Sequence, residues 1–308
     1  MPATVPTEAE YQALVARVAA LEAGGGSQWG ALPCIYDFGA VGDGVADDTA
    51  AHNAFMTTLN GSKRRTGYLG SGTFRLTSQP VAPTLGVTLF GDSPSSSVIL
   101  RDYNGSAGVG VINIRENSVN LRSLMVKSAV GRTGGSAVSI RSTATYAASF
   151  TSLEDVVLTS DALNGWDNTL DIDGSLKTTA PSGARDISLR NVTVFGAAGF
   201  AARFASVKGL SWHGGAIFPA SGNNAASGGL QITGTTANRS EIVRLDVWAA
   251  NGVNLTHCDD VMLQIARIGA INGVSINNDT SANDCRVVGE ITGTQLGNWS
   301  GASSYSRW

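Results

Sequence analysis

Four residues near the middle of the chain have types and spacing suited to chemistry on a sugar: Trp166, Asp167, Asp171 and Asp173. Hydrolysis of a glycosidic bond needs two carboxylates, about 5–5.5 Å apart for retention and about 6.5–9.5 Å for inversion. Asp171 and Asp173 stand at i and i+2, which on a strand puts both on one face about 6.5–7 Å apart. Asp167 is close in sequence, and Trp166 offers a ring on which a sugar can stack. Asp171, Asp173 and Asp167 are therefore the expected catalytic residues, and Trp166 the expected substrate-binding residue. The same acids also fit solvated turns. Asp171-Ile172-Asp173-Gly174 begins like a calcium loop, but the later ligands and the closing Glu are missing, and no metal is expected.

Other combinations are weaker. Glu154-Asp155 are adjacent, so strict alternation on a strand sends them to opposite faces, and Asp259-Asp260 fail the same test. A lyase would need clustered cations, whereas Arg185, Arg190, Arg203, Arg239, Arg244 and Arg267 are dispersed. His52, His213 and His257 are isolated, and Cys34, Cys258 and Cys285 are too few and scattered for a disulfide scaffold or a zinc site. No phosphate-loop Gly-Lys-Ser/Thr occurs, and no cofactor is expected. Net charge is −3 and the longest basic run is Lys63-Arg64-Arg65, which leaves no footprint for nucleic acid. No apolar stretch reaches the ~18 residues of a membrane span. No basic start with an apolar core predicts a secretory signal.

The elements that must position these residues come from the rest of the pattern. Charged residues are 15% of the chain and Gly 38 of 308, against about 25% and 7% in ordinary domains. Thr7 and Glu10 form a capping box, and Tyr11, Leu14, Val18 and Leu21 follow at coiled-coil spacing up to Gly24-Gly25-Gly26. These four are the expected oligomerisation residues, with packing on the helix's own domain as the alternative. A second helix is predicted from about Asp48 to Leu59, capped by Asp47 or Asp48. Gly67–Leu76 reads as strand, turn and strand, followed by Gly86–Asp92 and Ser97–Leu100. From 109 to 293 helical periodicity gives way to apolar residues separated by two positions and then one: Leu121/Leu124/Val126, Leu153/Val156/Leu158, Leu189/Val192/Val194, Ile242/Leu245/Val247 and Cys258/Val261/Leu263. Val207/Leu210/Trp212 fits more loosely. An imperfect repeat of this kind favours a β-solenoid over a sandwich.

The segment Tyr36-Asp37-Phe38-Gly39-Ala40-Val41-Gly42-Asp43-Gly44-Val45-Ala46-Asp47-Asp48-Thr49 resembles the opening motif of the pectate-lyase-like superfamily, found in phage tailspikes and polygalacturonase-like proteins. The likeness continues through the predicted helix, Gly67–Leu76 and Gly86–Gly91. It implies an all-β, single-stranded right-handed parallel β-helix with a capping helix, here preceded by a short coiled-coil helix. In that family Asp43, Asp47 and Asp48 would be structural cap residues. Trp212-His213-Gly214-Gly215 and Cys258-Asp259-Asp260 echo polygalacturonase motifs, but in reverse order, so those catalytic roles do not transfer.

The expected organisation is a docking helix and Gly linker at 1–26, first coils and cap at 27–108, shaft at 109–295 and tail at 296–308. The resemblance, with the N-terminal heptads, implies a homotrimeric phage tail-spike or tail-fibre virion protein. It would attach to a virion tail or baseplate protein through residues 1–26, contact host surface glycan, and act at the host cell surface. The alternative is a polysaccharide depolymerase, a hydrolase or lyase, using acids on the β-helix surface. The scarcity of acids tilts the expectation away from catalysis.

Overall fold

A computed structural model describes residues 32–63, 65–160, 165–176, 183–218, 228–234, 240–249, 252–256, 261–270, 274–278, 286–292, 295–296 and 304–307. The expected coiled-coil residues, together with His257, Cys258, Asp259, Asp260, Cys285, Trp299 and Trp308, lie outside these. Residues 1–33 and 34–308 form two separate units. No helix among the described residues is long and apolar enough to cross a membrane.

The second unit is a right-handed parallel β-helix. Among the described residues its strands form two parallel sheets, of thirteen and eight strands. Asn120–Ser128, Ser152–Ser160, Ala184–Phe195, Val207–Phe218 and Ser240–Ala249 stack in that order in the larger sheet. Gly110–Ile114, Ser136–Arg141, Leu170–Asp173, Phe200–Ala205 and Gly228–Thr233 stack in the smaller. The chain thus visits both sheets once per rung, and equivalent residues lie above one another. Leu121, Leu153, Leu189, Trp212, Ile242 and Leu263 make one internal column, and Val138, Leu170, Ala202, Leu230 and Val253 another. All are buried, and each large aliphatic side chain so enclosed contributes about 1.5–3 kcal/mol.

The repeat has a conformational origin. The two-residue gap in Leu153/Val156/Leu158 holds Asp155, whose φ is +52°. A left-handed residue breaks the alternation of a strand, so two consecutive side chains point outward and the sheet turns a corner. Ser123, Asn191, Gly214 and Arg244 occupy the same column, all with positive φ. A second corner runs through Gly86, Ser118, Phe150, Asp186 and Gly209. Val207/Leu210/Trp212 belongs to this second corner, because Trp212 rather than Leu210 is in register with Leu189. That is why it matched the repeat loosely.

Helix α1 (Thr49–Gly61) closes the N-terminal end and buries Phe55, Met56 and Leu59. Gly67 allows its close approach: a Cβ there would lie 2.5 Å from the Phe55 ring and 2.6 Å from Leu59. The three acids of the opening motif hold backbone. Asp43 accepts from the N–H groups of Val45 and Ala46, both at 2.8 Å. Asp48 occupies the cap position, but its side chain makes no cap bond. It reaches back to the N–H groups of Val41 and Gly42, at 2.6 and 3.2 Å. Asp47 instead accepts from the Thr49 N–H at 3.0 Å and from the Thr77 hydroxyl at 2.6 Å. Bonds from Thr49 and Thr77 hold its carboxyl down to about 2.

Candidate functional site

Strand Leu170–Asp173 places Leu170 and Ile172 in the core, so Asp171 and Asp173 point out of the solenoid on one face, as their spacing predicts. They do not reach open solvent: their exposures are 1% and 8%. Arg203 lies directly beside Asp171 in the next rung, and Arg141 beside Asp173 in the preceding one. Arg203 Nη1 donates to Asp171 Oδ1 at 2.7 Å and to Asp173 Oδ2 at 3.3 Å. Arg141 Nη2 donates to Asp171 Oδ2 and lies 4.0 Å from Asp173 Oδ2. Ser175 N–H donates to Asp173 Oδ1 at 2.9 Å.

This geometry decides what the acids can do. Both carboxylates contact one guanidinium nitrogen, so a cation fills the space where a glycosidic oxygen or a water would have to sit. Burial pushes the Asp173 carboxyl upward, but bonds from Ser175 and the charges of Arg203 and Arg141 bring it below the ordinary carboxylate value. Asp173 is therefore ionised at neutral pH and has no proton for a leaving group. The two acids clamp Arg203, whose own basicity is raised by Asp171 and Asp173 against the opposing effect of burial.

Asp167 and Trp166 do not join this cluster. Asp167 Oδ2 accepts from the N–H of Gly135 at 2.8 Å, tying one turn to the next. Trp166 corrects the expectation of a sugar platform, because its ring is fully enclosed. Its Nε1 donates to Thr159 O at 2.9 Å, and the Arg101 guanidinium sits 3.9 Å from the ring centroid. Arg101 is buried too, donating to Ser128 Oγ and to the carbonyls of Gly134 and Gly165. Burial lowers it to about 10, still a cation at neutral pH. The pair staples successive turns and leaves no ring face for a ligand.

Glu154 and Asp155 do not alternate across the strand as expected. The left-handed Asp155 turns both acids outward. Glu154 pairs with Arg122 at 3.0 Å and lies 3.9 Å from Arg190, while Asp155 Oδ1 accepts from Asn191 Nδ2 at 2.6 Å. Further along this corner His213, Arg244 and Gln264 line an open depression of about 410 Å³.

Arg141 is the partner that sequence reasoning missed. The signal was its spacing: 30 residues before Asp171, as Arg203 is 32 after it, close to one rung in each direction.

Comparison with known proteins identifies a family and a fold. A family described as rhamnogalacturonase A/epimerase, pectate lyase-like, matches residues 34–194. The A-module of mannuronan C-5 epimerase AlgE6 from Azotobacter vinelandii is similar in structure, with 14% identity, a TM-score of 0.52, and 89% of this chain and 90% of that one covered. ORF18 of Geobacillus virus E2 aligns at 11% identity and TM-score 0.39, over 98% of this chain but 63% of that protein's length. PfbA, a surface adhesin of Streptococcus pneumoniae, aligns at 12% identity and TM-score 0.38, over 88% and 91% of the two chains. At 14% identity the likeness to the A-module is one of fold. A search of curated proteins finds no match.

Proposed function

The chain belongs to the rhamnogalacturonase A/epimerase, pectate lyase-like family, and from that premise we propose that it is a homotrimeric, tail-spike-type virion protein whose shaft binds host surface polysaccharide without cutting it. One observation carries the non-catalytic part. The paired acids of the shaft, Asp171 and Asp173, are locked between Arg141 and Arg203, and Asp173 is held ionised. The spike part rests on the opening motif, the capped end and the heptad residues Tyr11, Leu14, Val18 and Leu21, through which residues 1–26 would dock on a tail or baseplate protein. The site of action would be the host cell surface.

The test incubates purified protein with host capsule or O-antigen and measures new reducing ends and unsaturated products. The expected result is binding without release. Release that Asp171→Asn abolishes would overturn the reading. Sedimentation is expected to give a trimer, and deletion of residues 1–26 to disturb attachment or assembly more than the β-helix itself. A monomeric intact protein removes the spike model's support. A second reading, a depolymerase, is favoured by the open depression that places His213 beside Arg244. Product release lost in His213→Ala would establish it.

A further inference from the structure

One corner of the solenoid carries side chains for which the fold itself has no use. The corner column of Gly86, Ser118, Phe150, Asp186 and Gly209 is left-handed throughout. Gly tolerates this conformation without strain, and small or short polar residues tolerate it best among the rest. Phe150 is the exception, a bulky aromatic at φ +54°, which is an outlier for its type. Packing does not account for it, since Phe150 is 62% exposed. Backbone strain kept at a surface position, without a packing return, points to function.

The surroundings supply the rest of a site. Tyr146 is 60% exposed and is held by a tight turn: its N–H donates to Thr143 Oγ1 and its carbonyl accepts from Thr143 N–H, both at 2.8 Å. Asn117 Oδ1 is engaged by Ser149 N–H at 2.9 Å, which fixes the amide at the base. Phe150 N–H donates to Arg185 O at 3.0 Å, which ties the two backbones together, and both residues line one depression. Among the described residues the Arg185 guanidinium has no ion-pair or hydrogen-bond partner, unlike Arg141 and Arg203. Tyr146, Phe150, Asn117, Arg185 and Asp186 line one depression of about 400 Å³, within the size range of small-ligand sites.

We propose that this corner is a saccharide subsite for a pyranose bearing a carboxylate. The apolar C–H face of the sugar packs on Tyr146 and Phe150, Arg185 takes the carboxylate in a charge-assisted bond, and Asn117 and Asp186 bond hydroxyls. This rests on the glycan-contact reading above and names where that contact is made and with what class of sugar.

The experiment uses the full chain on an array of hexuronate-containing and neutral oligosaccharides, followed by titration of the best hexuronate oligomer. Tyr146→Ala and Arg185→Gln are expected to weaken hexuronate binding about tenfold or more. Phe150→Asn separates function from folding. Asn accepts the left-handed backbone, so the melting temperature is expected to hold or rise by a few degrees while binding falls. Hexuronate binding untouched by all three variants overturns the subsite and leaves the glycan-contact reading standing. No binding to any glycan overturns both. Preference for neutral oligomers overturns the assignment to carboxylate-bearing sugars. Loss of assembly in Tyr146→Ala, read by light scattering, assigns the aromatics to a contact between copies of the chain instead.

Discussion

The acid rung around Asp171 and the aromatic corner around Phe150 lie on neighbouring turns of one shaft, yet they treat polar groups in opposite ways. Asp171 and Asp173 are enclosed, each contacted by two arginines. Tyr146, Phe150 and Arg185 are placed by backbone bonds, and their aromatic rings stand open to solvent. Residue type alone directs attention to the acids. Engagement reverses that order, since groups already satisfied by the protein hold the fold, while groups left unsatisfied on a strained, solvent-facing corner remain available to a ligand.

The sharpest way to break this contrast is Asp171→Ala. Removing the carboxylate leaves Arg141 and Arg203 with Asp173 as their one shared carboxylate in a largely buried position, and breaking a buried ion pair costs about 3 kcal/mol or more. A fall of that size in urea unfolding free energy, with hexuronate binding by the folded variant unchanged, is expected. A folded variant of undiminished stability that has lost binding would transfer the functional role back to the acid rung.

Acid titration gives the next effect. His52 on helix α1 is buried, its Nδ1 lacks a hydrogen-bond partner, and a cavity of about 10 Å³ beside it is walled by Met56, Leu89, Val111 and Leu121. Burial lowers its imidazole from 6.5 to about 4. Between these values the unfolded chain holds the extra proton, so stability is full above pH 6.5 and falls as pH drops towards 4. The loss amounts to about 3 kcal/mol. Asp173, with its lowered carboxyl, adds a loss only below about 3.8. Urea midpoints compared at pH 7 and pH 4.5 are expected to show the first loss, and His52→Leu to remove it.

The sequence made the periodic part of the molecule legible. Leu153/Val156/Leu158 and its fellows read as rungs because inward positions repeat with the backbone. Helix α1 could be placed within two residues because its apolar face and acidic start are local signals. What stayed hidden depends on conformation or on distance along the chain. Nothing in Glu154-Asp155 announces a left-handed backbone, so the alternation rule misplaced one of the two. Arg141 joins Asp171 only when the rung length is known. Trp166 looked available beside three acids because nothing near it in sequence signals Arg101, which covers its face from 65 residues away. Phe150 carries no mark in the sequence of the strain that singles it out.

The smallest expected effect tests whether strain at a corner by itself marks function. Arg244 also sits left-handed, at φ +57°, in the column of Ser123, Asp155, Asn191 and Gly214. It is a long side chain in a conformation that disfavours a Cβ by roughly 1–2 kcal/mol. Replacing it with Gly removes that penalty and adds about 1 kcal/mol of unfolded-state entropy, so Arg244→Gly is expected to stabilise by less than about 1 kcal/mol. Asn191→Gly is expected to gain nothing, because Asn accommodates the left-handed region and its amide bonds Asp155. If Arg244→Gly stabilises without changing binding, strain alone does not identify a site, and the case for Phe150 rests on Tyr146 and Arg185 beside it. If Arg244→Gly also abolishes binding, the His213 depression is a second point of glycan contact, and the two corners act together along one face.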